Sequence, residues 1–154
     1  QFPVYVVMAV LTYWLGLNGY MKRNEVVSKI NKSSEQLPHL QNIAQQLDEA
    51  MLNQKLYLQA DLNLNQLGAA LQIKPYLITA ALNKVKKQKF SDYINSWRID
   101  EFKKLLQEPS YQHYSLLAIA HEVGFNSKAS FNRIVKKMTG KSPSELKESA
   151  QIMK

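Results

Sequence analysis

From Leu40 onward, apolar residues recur at intervals of three and four, the spacing of helices with one buried face. Leu40, Ile43, Ala44, Leu47, Met51 and Leu52 form the stripe of an amphipathic helix that Pro38 would open near its first turn. Asn63 is suited to cap a short helix carrying Leu67, Ala70 and Leu71. Ile73-Lys74-Pro75 then turns into another, Pro75 to about Lys87, with Leu77, Ile78, Ala81, Leu82 and Val85 inward. Ser91 is placed to cap a longer helix over 91–107 that carries Tyr93, Ile94, Trp97, Ile99, Phe102, Leu105 and Leu106. It must stop before Pro109, which disfavours helical geometry in its predecessor. Ser115 opens SLLAIAHEV, which Gly124 can close in the left-handed conformation. Ser127 caps KASFNRIVKKMT, closed by Gly140, and Ser142-Pro143-Ser144-Glu145 is a capping box that starts a last helix over 143–150. No run shows convincing strand character. The pattern predicts an all-α chain, with an N-terminal helix followed by a seven-helix domain over 38–150.

The N-terminal helix differs from the others. FPVYVVMAVLTYWLGLNGY, Phe2 to Tyr20, holds no charge, and Met21, Lys22 and Arg23 follow at once. About 20 residues suffice to cross a bilayer. Residues 1–22 are therefore expected to be a transmembrane helix, with Tyr13, Trp14 and Tyr20 as interfacial anchors and the basic side, Lys22, Arg23, Lys29 and Lys32, in the cytoplasm. This places the chain at a membrane, with everything after Tyr20 on the cytoplasmic side. A signal peptide fits poorly, since no basic region precedes the run and no small-residue cleavage site closes it. Asn18, Gly16 and Gly19 leave a buried or dimerising helix as the other reading. Residues 23–37 are polar and mixed in charge, a linker or a continuation of the helix. The first residue is Gln1 and not Met, the expectation for a piece of a longer protein with a sensor upstream.

Charge sharpens this division. The 154 residues hold 20 Lys and Arg against 12 Asp and Glu, a net charge of +8. Residues 1–54 carry four of each sign and sum to zero, whereas 55–154 carry sixteen against eight. The polyanion partner expected of such a surplus therefore belongs to the last two thirds. Cysteine is absent, which excludes disulfides, thiol nucleophiles and Cys-type zinc sites. His39, His113 and His121 share no ligand spacing, so no metal, no cofactor and no catalytic set can be argued.

Two short helix–turn–helix units can be read, at 63–87 and 115–139, with the 91–107 helix between them. In the second, Gly124 permits the bend, Phe125 plugs the angle, and Lys128, Ala129, Asn132 and Arg133 share one helical face, while Phe131, Ile134, Val135 and Met138 mostly face inward. Lys136, Lys137 and Lys141 follow, placed for phosphates.

The stretch from Leu56 to about Ser149, including LNLNQLGAALQI, NKVKKQKFSDYINSWRIDEFKKLL and SLLAIAHEVGFNSKASFNRIVKKMTGKSPSEL, resembles the DNA-binding domain of the AraC/XylS family of bacterial transcription regulators. With the apolar segment and basic pair before it, the chain is similar to the membrane-anchored branch of that family. The resemblance implies two units reading successive major-groove segments of double-stranded DNA. It maps the second recognition helix onto Ser127 to Lys137, with Lys128, Ala129, Asn132 and Arg133 toward bases. A guanidinium can take the O6 and N7 of guanine together, which favours Arg133 for direct readout. The first recognition helix maps onto Pro75 to Lys86, with Tyr76, Thr79, Ala80 and Asn83 outward. Ala80 stands where the family commonly has a polar or basic residue, Lys87 where it usually has glycine, and Val135 where it often has phenylalanine. The first unit is therefore expected to contribute affinity through phosphates, from Lys84, Lys86, Lys87 and Lys89. A second copy of the chain and RNA polymerase are the protein partners the resemblance leaves open.

Lysine runs are more often solvated helix faces, and the competing reading is a module that binds nucleic acid or membranes by charge alone. Tyr93 and Trp97 read as core, and Arg98 as a structural ion-pair residue. The family's fold also occurs with DNA-alkylation repair chemistry, which needs the cysteines this chain lacks; the sequence predicts no enzyme.

Overall fold

The computed structural model describes the backbone of residues 2–152 and the side chains of 7–17 and 36–150. Among the described residues there are seven α-helices and no strand: α1 (Phe2–Gln54), α2 (Leu64–Leu71), α3 (Pro75–Ala81), α4 (Phe90–Gln107), α5 (Leu116–Glu122), α6 (Lys128–Thr139) and α7 (Pro143–Ile152). The chain divides into two units, Gln1–His39 and Leu40–Lys154. Residues 23–37 are helical backbone, the second of the two alternatives the sequence allowed. Pro38 does not open a helix but lies inside α1, where its ring removes one main-chain hydrogen bond. Among the described residues no helix is long and apolar enough to cross a membrane. The expected span at 2–20 gains no support there, and the side chains of 2–6 and 18–20 lie outside the described residues.

Over residues 40–150 the apolar side chains gather into two cores. Leu40, Ile43, Ala44, Leu47, Ala50 and Met51 of α1 pack with Leu67 of α2 and Ile78, Ala81 and Leu82 around α3. Leu52, expected in this stripe, is 60% exposed, because it falls a full residue off the buried arc. The other core joins Ile119, Ala120 and Val123 around α5 to Phe131, Ile134 and Val135 of α6.

α4 serves both. Its first half gives Tyr93 and Ile94 to the first core, and its second half gives Ile99 and Phe102 to the other. Trp97, packed on the first core, stacks on Tyr57 at 6.0 Å between ring centroids and meets the Tyr93 ring edge-on at 6.4 Å. Phe102 meets Phe131 at 5.0 Å and 67°, an edge contact worth about 0.5–1.5 kcal/mol beyond its buried area. A brace that shares buried side chains with both cores cannot bend without opening one of them.

The helix ends follow the local chemistry with two exceptions. Asn63 and Gln66 form a reciprocal capping box at α2, and Ser142 with Glu145 forms another at α7. Ser115 and Ser127 accept the amides of Ala118 and Ser130 at 3.1 and 3.2 Å. Ser91, expected as a cap, lies one residue inside α4, which starts at Phe90 after Lys89 with no side-chain cap. After Ala81 the chain continues through Leu82–Lys86 in π geometry instead of α, so the segment expected as one helix to about Lys87 changes its winding.

Candidate nucleic-acid interface

The second helix–turn–helix is built around Gly124. Its φ is +93°, and its amide and that of Phe125 return to the carbonyls of His121 and Ala120, ending α5 sharply. Phe125, 2% exposed, fills the angle and rests 5.3 Å from the Phe131 ring. With Phe131, Ile134 and Val135 buried, α6 must turn its opposite face outward. Lys128, Ala129, Asn132, Arg133, Lys136 and Lys137 are all exposed there. Met138, expected toward the core, is 37% exposed at the edge of this face.

These residues divide into two rows. Lys128, Asn132 and Lys136, four apart, line one side of a cleft of about 460 Å³ that Ser115 and Ser142 to Ser144 close from α5 and α7. Ala129, Arg133 and Lys137 form the other row. Lys137 Nζ reaches the Asp92 carboxylate at 2.7 Å, so this lysine is held against the first turn of α4.

The first unit presents less. Gly68 lets α2 and the turn after it approach closely: a Cβ there would stand 2.7 Å from the Ile73 carbonyl. Tyr76 is 64% exposed, and Asn83 is exposed about two turns further on. Thr79 and Ala80, expected to face outward, are only half-exposed. The Thr79 hydroxyl donates to the Pro75 carbonyl at 3.1 Å, and Ala80 packs against the first core. Lys84, Lys87 and Lys89 are exposed. Lys86 is not: its ammonium is bonded to Asp48 of α1, whose other oxygen accepts the Tyr93 hydroxyl at 2.9 Å. Burial first, and that hydrogen bond second, push the Tyr93 phenol well above its ordinary pKa, so it stays a donor.

Lys87 has φ +57°. That backbone favours glycine, which gives a steric reason for the residue expected at this position. Asn83, Lys87, Gln88 and Lys89 share an open groove with Asp92, the residue that holds Lys137. The C-terminal ends of α3's segment and of α6 therefore both arrive at the first turn of α4.

Arg98 is structural but not ion-paired as expected. It is 9% exposed and donates Nε to the Tyr57 carbonyl and Nη2 to the Gln59 carbonyl, each at 2.7 Å. Burial lowers its pKa. Sequence reasoning missed these carbonyl partners, and it missed Asp48, because neither main-chain oxygens nor a single acid within a buried stripe leave a signal. Among the described residues, no group of three or more His, Asp and Glu is arranged to hold a metal ion.

Residues 67–149 match the helix–turn–helix domain family. No curated protein matches significantly. Among solved structures, a Listeria innocua protein of unknown function is 26% identical with a TM-score of 0.57, over 68% of this chain and 93% of that one. The C-terminal domain of AraT, a response regulator from Geobacillus stearothermophilus, is 20% identical with a TM-score of 0.51, over 73% and 84%. A DNA-binding transcriptional dual regulator from Escherichia coli K-12 is 17% identical with a TM-score of 0.56, over 68% and 87%.

Proposed function

We propose that this chain, which belongs to the helix–turn–helix domain family, is a DNA-binding transcription regulator of the AraC type that reads two successive major-groove segments of one duplex, with most of the sequence discrimination in its second unit. The observation that carries this is the outward face of α6, where Lys128, Asn132 and Arg133 stand exposed over buried Phe131, Ile134 and Val135. Arg133 is the base reader on that face, Lys128 and Asn132 its neighbours, and Lys136 meets phosphate. Lys137, tied to Asp92, contributes to position first and to phosphate second.

The first unit adds affinity more than specificity. Of its four outward candidates, Thr79 and Ala80 are half-buried, which leaves Tyr76 and Asn83. Lys84 and Lys87 are exposed for phosphates, whereas Lys86 is engaged by Asp48. One protomer suffices for this reading, without a second copy of the chain or RNA polymerase.

The same proposal tethers the regulator to the inner membrane through residues 2–20, with the DNA-binding unit in the cytoplasm. Its support is the uncharged run and the exposure of Val7, Met8, Val10, Leu11, Leu15 and Leu17, between 41% and 62%. The remaining face carries Ala9, Thr12, Tyr13 and Gly16 and no charge, unlike the polar face of a helix lying on a soluble core. Thr12 satisfies its hydroxyl internally, on the Met8 and Ala9 carbonyls at 3.0 Å, as an apolar medium requires.

Arg133→Ala tests the assignment. It should cost about 1–3 kcal/mol on duplexes selected from random sequence and relax preference at one or two base pairs. An equal proportional loss on every sequence would make Arg133 a phosphate contact and favour the charge-only module.

A further inference from the structure

Residues 57–60 run from the 3₁₀ turn Leu56–Leu58 toward the cap of α2, and the carbonyl oxygens of Tyr57, Gln59 and Ala60 are held by side chains of α4 and of the second turn. Arg98 of α4 takes the Tyr57 and Gln59 oxygens, both at 2.7 Å. Asn126, in the second turn, donates Nδ2 to the Ala60 oxygen at 3.1 Å. Gly124 presses on the same strand of backbone, with the place of its missing Cβ 2.8 Å from the Tyr57 oxygen and 2.9 Å from the Leu58 oxygen. The Arg98 guanidinium also lies 5.7 Å from the centre of the Phe125 ring, which rests on α6. Leu58 packs against both cores.

α4 fixes how far apart the two units lie along its axis, and contacts away from that axis add leverage against rotation of one unit about it, which is what a duplex reads most severely. With about 10–10.5 base pairs and 34–36 Å per turn, one base pair is about 3.4 Å of rise and about 35° of twist. Two charge-assisted hydrogen bonds from one rigid planar fork on α4, which also lies against Phe125, and a third from Asn126 resist such rotation, because they tie the lead-in of α2 to α4 and to the turn before α6.

We propose that Arg98 and Asn126 are specificity-determining positioning residues: by clamping the backbone of 57–60 against the second turn, they set the helical phase between the two recognition helices and hence the base-pair spacing the protein accepts. This rests on the reading in which both helices occupy one duplex.

The test uses the full chain in detergent and duplexes it selects from random sequence, then the same duplexes with one base pair inserted or removed between the two contacted segments. The wild type should lose about tenfold or more for either change, comparable to a mismatched base pair. Arg98→Met and Asn126→Ala should bind the original duplex more weakly and lose only about twofold to threefold on the altered spacings. Arg98→Lys keeps the charge but not the fork, and should behave as Arg98→Met. Asn126 is exposed, so its variant reports even where Arg98→Met melts too low to assay. Equal proportional losses on all spacings, in variants whose circular dichroism is unchanged, would overturn the proposal and leave the clamp a contributor to stability only. Indifference of the wild type itself to spacing would overturn the two-helix reading beneath it.

Discussion

Replacing Gly124 by alanine combines two costs that the structure allows to be separated. The first is conformational: φ is +93°, and an L-residue in left-handed backbone costs about 1–2 kcal/mol. The second is contact. The new Cβ would meet the Tyr57 and Leu58 oxygens at 2.8 and 2.9 Å and Arg98 Nε at 3.0 Å, so the 57–60 backbone must retreat by about half an ångström toward ordinary van der Waals distance. That retreat stretches the Arg98 hydrogen bonds, and a hydrogen bond to a charged group contributes about 1.5–3 kcal/mol. Together the substitution should cost about 3–5 kcal/mol. Gly140 supplies the control, since its φ is +74° with nothing within 4 Å of the Cβ position. Gly140→Ala should therefore cost only the conformational part, about 1–2 kcal/mol. Urea unfolding of the full chain, followed by far-ultraviolet circular dichroism, measures both as midpoint shifts at constant slope. Equal costs for the two variants would refute the close approach of the second turn to the 57–60 segment.

Lys87→Gly should raise stability by up to about 1 kcal/mol, because φ +57° no longer opposes a side chain; calorimetry would show Tm higher by roughly 3–5 °C. Lys84→Ala should lower the salt slope of DNA binding by about one unit, whereas Lys86→Ala should leave it nearly unchanged, since Asp48 already holds that ammonium; titrations at several salt concentrations decide this. Burial, the largest influence on Glu101, pushes its carboxyl up, but the Lys55 hydrogen bond and charge and the Lys104 charge outweigh it and hold it below the usual carboxylate range. A carboxyl depressed by folding adds stability above its ordinary pKa, and that stability disappears as the pH falls through the depressed value. Glu101→Gln should thus cost under about 1 kcal/mol at neutral pH, and the cost should shrink as the pH falls below the ordinary carboxylate range, read from urea midpoints.

What was legible in the sequence was local. Asn63 with Gln66, Ser115, Ser127 and Ser142 with Glu145 cap their helices because a side-chain oxygen and an orphan amide lie within three residues of each other. Gly124 and Gly140 mark turns because only glycine adopts their φ freely. Where three other residues, Lys55, Gln72 and Lys87, adopt positive φ, no residue type announced it. The α6 face was readable from period alone, since buried Phe131, Ile134 and Val135 dictate which side chains remain outside. The α3 face was not: Ala80 is drawn against the first core, and the lysine at 86 meets an aspartate 38 positions earlier. Arg98 was assigned the right kind of role and the wrong partners, because main-chain carbonyls become visible only when the 57–60 backbone is in place.

The central claim, that two recognition helices engage one duplex together, is tested most directly by inserting five base pairs, about half a helical turn, between the two segments protected by the full chain in a hydroxyl-radical footprint. The account predicts two protected patches about one turn apart on the same face of the wild-type duplex, and loss of one of them with a fall in affinity of about a hundredfold or more after insertion. A single patch before insertion, or undiminished affinity after it, would contradict the claim.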